Sequence, residues 1–273
     1  MTGSIRRYGS APFQTVVLHG GPGGIGSAKG LAEGLGGNGG TLEMLQSRNS
    51  VSELVGELRE QILHSASYPV LLVGHSWGAW LAALYAKQYP DRLAGMILIG
   101  CGPLKTEYAE RIAERRKSRF SLSETIRYEE LLRTLERKGE ADDSALAELG
   151  ALCEKADAYC PLTGECDDGT LDGEMYAKVF AEAAELRKNG TLLECFRNLP
   201  CPLALIHGET DPHPPEGLTE PLKELGISYS FCFLRRCGHT PWRERYAKDL
   251  FWKQMETLRR RFLLLSQDGN CSV

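Results

Sequence analysis

The chain has 273 residues, 42% hydrophobic and 25% charged, with a net charge of -4. That length suits one large α/β domain or two small ones with a substantial buried core. The mildly acidic balance without a basic stripe argues against a nucleic-acid binder, and no apolar run is long enough to span a bilayer. The N-terminal MTGSIRRYGSAPFQ has two arginines but no apolar segment after them, so it does not read as a secretory signal and a cytoplasmic location is expected. Nine cysteines, an odd number without a C-x-x-C pair, read as free thiols. Cys153, Cys160 and Cys166 are close in sequence, but no histidine lies nearby to complete a metal site, so no metal is expected.

In chain order, residues 14–18 (QTVVL) read as a strand running into His19, Gly20, Gly21, Pro22 and Gly23. From Gly20 to Gly40, eleven of 21 residues are glycine, the pattern of a loop whose backbone must approach a ligand. A short helical pattern over 28–35 interrupts it. Residues 41–46 give a short strand. Ser50 and Glu53 form a capping box before a helix with Val51, Leu54, Leu58 and Ile62 on its buried face. After the strand and helix around residues 68–85, residues 94–100 (AGMILIG) give another strand. This alternation predicts a parallel sheet wrapped by helices.

From 103 to 199 no strand is expected, only charged helical stretches, one of them capped by Ser121 and Glu124. The block is too poor in apolar residues to form an independent domain and reads as a helical insertion over the C-terminal edge of the sheet. The expected division is therefore 1–102 with 200–273 as the core and 103–199 as the cap. Strand signals resume at 202–207 and 228–234, with a helix around 215–225 between them. Residues 240–265 form an amphipathic helix carrying Tyr246, Leu250, Phe251, Met255, Leu258 and Phe262, and the last eight residues are expected to fray.

The stretch YPVLLVGHSWGAWLAALY, residues 68–85, is the centre of the functional reading. An apolar strand, the sequence Gly74-His75-Ser76-Trp77-Gly78 and a helical pattern make a G-x-S-x-G turn in its required strand-to-helix setting. Such a turn lifts the Ser76 hydroxyl clear of the backbone, and the helix that follows directs free N–H groups at an oxyanion formed there. A serine hydroxyl needs a histidine to take its proton and a carboxylate to orient that histidine. His239, just beyond the last strand in R-C-G-H-T-P-W, is the expected base. Asp211, in G-E-T-D-P-H-P after strand 202–207, is the expected acid, with Glu209 as the fallback. His19 and His207 read as structural, His75 as too close in sequence to serve Ser76, and His213 as a loop residue between prolines. The oxyanion donors expected are the N–H groups of Trp77 and Gly21.

Together, HGGPG at 19–23, GHSWGA at 74–79, HGETD at 207–211 and CGH at 237–239 resemble the α/β-hydrolase superfamily, specifically its proline iminopeptidase branch, the S33 peptidase family. The resemblance implies an α/β-hydrolase fold, a mostly parallel sheet flanked by helices with an inserted helical cap, and a serine hydrolase that needs no cofactor. It implies an aminopeptidase-like activity on short peptides or amides, with cap carboxylates holding the substrate's free amine. Glu165, Asp167, Asp168, Asp172 and Glu174 are the candidates for that patch. A small-molecule carboxylesterase is the alternative enzyme, and a ligand-binding sensor on the same fold is the alternative without turnover.

Overall fold

The computed structural model describes residues 4–136, 142–163 and 169–268. Seven strands form the main sheet: β1 (Ile5–Tyr8), β2 (Phe13–Leu18), β4 (Gly40–Met44), β5 (Val70–His75), β6 (Leu93–Ile99), β8 (Leu203–Gly208) and β9 (Ser230–Leu234). Their spatial order is β1-β4-β2-β5-β6-β8-β9, with every pair parallel except β1 against β4. The antiparallel edge strand β1, which carries no apolar run, was not expected from the sequence.

Strand β5 lies at the centre and is buried on both faces, which is why its sequence is a continuous apolar run. The period of two divides the strands between two cores. Val16, Leu18, Val70, Leu72, Met96 and Leu98 face the side covered by α2 (Val51–Ser65) and α3 (Trp77–Gln88). Val17, Leu71, Val73, Ile97 and Ile99 face the side covered by α1 (Lys29–Gly36) and α10 (Lys248–Asp268). Ser50 caps helix α2, its Oγ accepting the Glu53 N–H, while the Glu53 carboxylate accepts the Ser50 hydroxyl in place of the backbone N–H that a full capping box would use. Helix α9 (Glu216–Glu224) joins β8 to β9, and in α10 Phe251, Met255, Leu258 and Phe262 are buried as expected. Tyr246 precedes the helix and Leu250 lies on its outer face, both about half exposed. The helix also continues through Asp268, into the tail expected to fray.

Between β6 and β8 lie α4 (Thr106–Lys117), α5 (Leu122–Glu136), α6 (Asp143–Asp157), α7 (Gly173–Lys188) and α8 (Thr191–Glu194). They do not behave as one unit. Tyr128, Leu131, Ala145 and Leu149 pack α5 and α6 into a small cluster of their own. By contrast, Met175, Val179, Ala183, Leu192 and Phe196 merge α7 and α8 with the main core. The expectation of no strand in this block is corrected by β7 (Thr170–Leu171), which pairs antiparallel with β3 (Gly24–Ile25) of the glycine loop. Two residues are too few to leave a period in the sequence. No helix among the described residues is long and apolar enough to cross a membrane.

Candidate active site

Strand β5 ends at His75, and Ser76 takes φ 53° and ψ -115° before α3 begins at Trp77. A positive φ on a residue with a Cβ is strained, and it is held here by what surrounds it. A side chain at Gly74 would strike the backbone of Gly78 and Ala79, and one at Gly78 would strike the carbonyls of Leu18 and His19. Both glycines of the motif are therefore needed for strand and helix to pass this closely. The elbow is also tied to the neighbouring strand, because the Ser76 N–H donates to Ile99 O at 2.9 Å.

Two strand ends away, Asp211 is fully buried in the loop after β8. Its Oδ2 lies 2.8 Å from His239 Nδ1. An ionised carboxylate only accepts, so Nδ1 of His239 carries the proton and Nε2 is left with a lone pair, the tautomer a general base needs. Gly100, at φ 54°, makes room for this pair, since a Cβ there would lie 2.9 Å from His239 Nδ1 and 3.2 Å from Asp211 Oδ2. His239 and Ser76 line the same cavity. Among the described residues the Ser76 hydroxyl has no side-chain hydrogen-bond partner, so it and His239 share the cavity without a direct bond between them.

The sequence did not announce the company Asp211 keeps. His213, two residues on, donates both its backbone N–H (2.9 Å) and its Nδ1–H (2.8 Å) to Asp211 Oδ1. Its ring stacks on that of His239, with centroids 4.4 Å apart and planes at 22°. His207 donates from Nε2 to His213 O at 2.7 Å, and that nitrogen also lies 3.6 Å from Asp211 Oδ2. His75 donates from Nε2 to His239 O at 3.0 Å, which commits that nitrogen to the loop of the base. His213 does lie in the loop between prolines, and there the turn aims its imidazole at Asp211, a contact the loop reading did not include. The only signal was the D-x-H spacing, which places both side chains in one short loop.

The electrostatics follow from this crowding. Burial raises the Asp211 pKa, but the neighbouring histidines, His239 first, outweigh it and hold the carboxyl well below its usual range. Burial lowers the pKa of His239, but Asp211 outweighs it and leaves it above 6.5. His213 is lowered, by burial first and by His239. His75 is pushed down to about 3, mainly by burial, and stays neutral. Asp211, His213 and His239 have potential ligand atoms within 4.8 Å of one another. Their facing atoms already satisfy each other as a hydrogen-bonded set.

For an oxyanion, the N–H of Trp77 is the first of α3 and that of Gly21 lies in the loop after β2; neither donates to a backbone carbonyl among the described residues. Gly21 has φ 47° and open space where a Cβ would stand, so backbone conformation is what calls for glycine there. Glu209, the fallback acid, is exposed and accepts the Arg236 N–H at 2.8 Å, away from His239. Of the amine-patch candidates, Asp172 caps α7 by accepting the Met175 N–H, and Glu174 pairs with Lys178 on the surface. Glu165, Asp167 and Asp168 lie outside the described residues, as does Cys166.

Ser76 and His239 open into a cavity of about 1170 Å³ between the sheet and helices α4 to α7, walled by Trp77, Trp80, Tyr128, Leu149, Tyr176 and Phe180. A second feature with no sequence signal joins the cap to the base. Glu244, almost fully buried, accepts the N–H groups of Tyr159 (2.7 Å), Cys160 (2.8 Å) and Gly238 (2.9 Å). Beside it, the His239 N–H donates to Asp157 O at 2.9 Å, and Arg116 grips the Asp157 carboxylate with two bonds of 2.7 and 2.6 Å.

A strained serine between a central parallel strand and a helix, facing a buried Asp–His pair, has the layout of a hydrolase built on a doubly wound sheet. The profile of the Alpha/beta hydrolase family matches residues 33–251, and the chain belongs to that family of enzymes. No curated protein matches it in sequence. Among solved structures it is similar to VinJ (16% identity, TM-score 0.67, covering 94% of each chain). It is also similar to an esterase from Thermogutta terrifontis, with 20% identity and a TM-score of 0.61, over 95% of this chain and 93% of that one. A third is the monoacylglycerol lipase of Paleococcus ferrophilus, with 18% identity and a TM-score of 0.59, over 93% of this chain and 97% of that one. At these identities the likeness concerns the fold. None of these matches singles out the iminopeptidase branch.

Proposed function

We propose that the protein is a serine hydrolase of small-molecule carboxylic esters, working through an acyl-enzyme with Ser76, His239 and Asp211 as its triad. The observation that carries the reading is the 2.8 Å bond from His239 Nδ1–H to Asp211, which leaves Nε2 unprotonated beside the cavity that Ser76 enters. In the first step Ser76 Oγ bonds to the substrate carbonyl carbon, its proton passes to His239 Nε2, and the carbonyl electron pair moves onto oxygen. The N–H groups of Trp77 and Gly21 receive that oxyanion. As the tetrahedral adduct collapses, His239 returns the proton to the departing alkoxide and the ester of Ser76 remains. Water then repeats the sequence, giving its proton to His239 and releasing the acid and Ser76. Asp211 stays ionised throughout and stabilises the imidazolium. Residues 103–199 act as the cap that shapes the substrate cavity.

An aminopeptidase would need an uncommitted carboxylate for the substrate's ammonium. Among the described residues that line the cavity, Asp157 is bound by Arg116, Glu154 by Arg243, and Glu244 by three backbone N–H groups. Esters are therefore favoured over aminoacyl amides. A side-by-side rate comparison on short-chain p-nitrophenyl esters, proline amides and other aminoacyl amides tests this. Ester turnover that disappears in Ser76→Ala is expected. Turnover of aminoacyl amides with esters refused would overturn the ester reading.

A further inference from the structure

Among the described residues, four cationic side chains line the cavity: Arg116, Lys155, Arg187 and Arg243. Three are neutralised by protein carboxylates. Arg116 is held by Asp157, Lys155 by Glu124 and Arg243 by Glu154. Arg187, in the last turn of α7, has neither a carboxylate nor a hydrogen-bond acceptor among the described residues. Its Nε is buried and unsatisfied. Burial lowers its pKa, and no charged neighbour among the described residues offsets that. An arginine half withdrawn from water without an acceptor is costly, because its donors lose hydration and gain nothing in return. The C-terminal carbonyls of α7 favour a cation nearby, but this leaves the buried Nε–H without a partner.

What holds the group in place is aromatic. The Arg187 guanidinium lies 5.5 Å from the centre of the Trp80 ring. Trp80 is anchored in turn by its Nε1–H, which donates to Gly102 O at 3.1 Å. Trp80 sits one turn into the helix that Ser76 begins, a rise of about 6 Å. The cation is thus fixed on the wall of the cavity that Ser76 enters, against the residue one turn along the helix from the elbow, with donors in the fork geometry that matches a carboxylate.

Building on the hydrolase reading, we propose that Arg187 is a specificity determinant that binds an anionic group of the substrate, so that the preferred substrates are esters carrying a second, free carboxylate. A monoester of a short dicarboxylic acid has the required form, with the ester carbonyl at Ser76 and the free carboxylate completing the hydrogen bonds of Arg187. The cavity supports this sign of charge, since the carboxylates among its described lining residues are all committed and Arg187 is the one cation there that is not.

The test measures binding, so it does not depend on turnover. In Ser76→Ala protein, calorimetric titration compares monoethyl glutarate and monoethyl adipate with the neutral esters ethyl pentanoate and ethyl hexanoate. At least one monoanion is expected to bind tenfold or more tightly than its neutral counterpart, the scale of one charge-assisted hydrogen bond. The preference should vanish in Ser76→Ala/Arg187→Met and survive in part in Ser76→Ala/Arg187→Lys, which keeps the charge without the fork. Neutral esters binding as tightly as the monoanions, or a preference unchanged by Arg187→Met, would overturn the proposal. The hydrolase reading is judged separately, by covalent labelling of Ser76 in the unmodified enzyme.

Discussion

At the scale of single residues, the proposed chemistry depends on which carboxylate holds the base. Asp211 is buried and bonded to His239, whereas Glu209 is exposed and bonded to a backbone N–H of the next loop. Asp211→Asn should lower kcat about 10³- to 10⁴-fold, because an amide would favour the wrong imidazole tautomer, while Glu209→Gln should leave kcat within a factor of about three. Steady-state kinetics on one ester decide this, and equal losses in both variants would contradict the assignment. The pH profile gives a second check. His239 must be neutral to accept the serine proton, and Asp211 raises its pKa above 6.5, so kcat/KM should climb with pH through a midpoint above that value. A midpoint near 5 or a flat profile would speak against His239 as the base. Ser76, His239, Asp211, Gly21 and Trp77 were legible in the sequence because each stands in a motif tied to a strand end. Glu244 and Arg187 were not, since their contacts join distant segments that no local spacing records, and His213 left only the D-x-H spacing as a signal.

At the scale of elements, the cap and the base are joined through Glu244. Its carboxylate accepts two N–H groups from the segment after α6 and one from the residue before His239. Truncation would leave the buried Gly238 N–H and the part-buried N–H groups of Tyr159 and Cys160 without their acceptor, so Glu244→Ala should cost about 2 kcal/mol in urea unfolding and also lower kcat as the His239 loop loosens. A loss below about 1 kcal/mol with kcat unchanged would mean that the joint does not position the base. The elements themselves were largely readable. Buried strands such as β5 and capped helices such as α2 and α5 carry strong patterns, whereas β1, β3 and β7 are too short or too polar to do so. The separate packing of α5 with α6 was also hidden, because the sequence gives an apolar face but not what the face meets.

At the scale of the whole molecule, the fold buries neutral histidines against the sheet, and this links stability to pH. Burial pushes His19 down to about 4 and His75 to about 3. Below pH 6.5 the unfolded chain takes up protons that these two sites refuse, so their contribution is complete above 6.5 and is lost as pH falls toward the folded values. His239 works in the opposite sense, because its raised pKa stabilises the fold below 6.5 and that gain fades as pH rises through the folded value. Between pH 6.5 and 5 the two depressed histidines should each withdraw about 2 kcal/mol, visible as a lower urea midpoint at pH 5 than at pH 7. Equal midpoints would show that these imidazoles are not held neutral by the fold.

The proposed mechanism requires above all that Ser76 be a nucleophile activated by His239. The most direct measurement is the intact mass and peptide map of the protein after reaction with a fluorophosphonate. A single adduct on Ser76 is predicted, formed at least about 10³-fold more slowly in His239→Ala. An unlabelled Ser76, or labelling just as fast without the imidazole of residue 239, would contradict it.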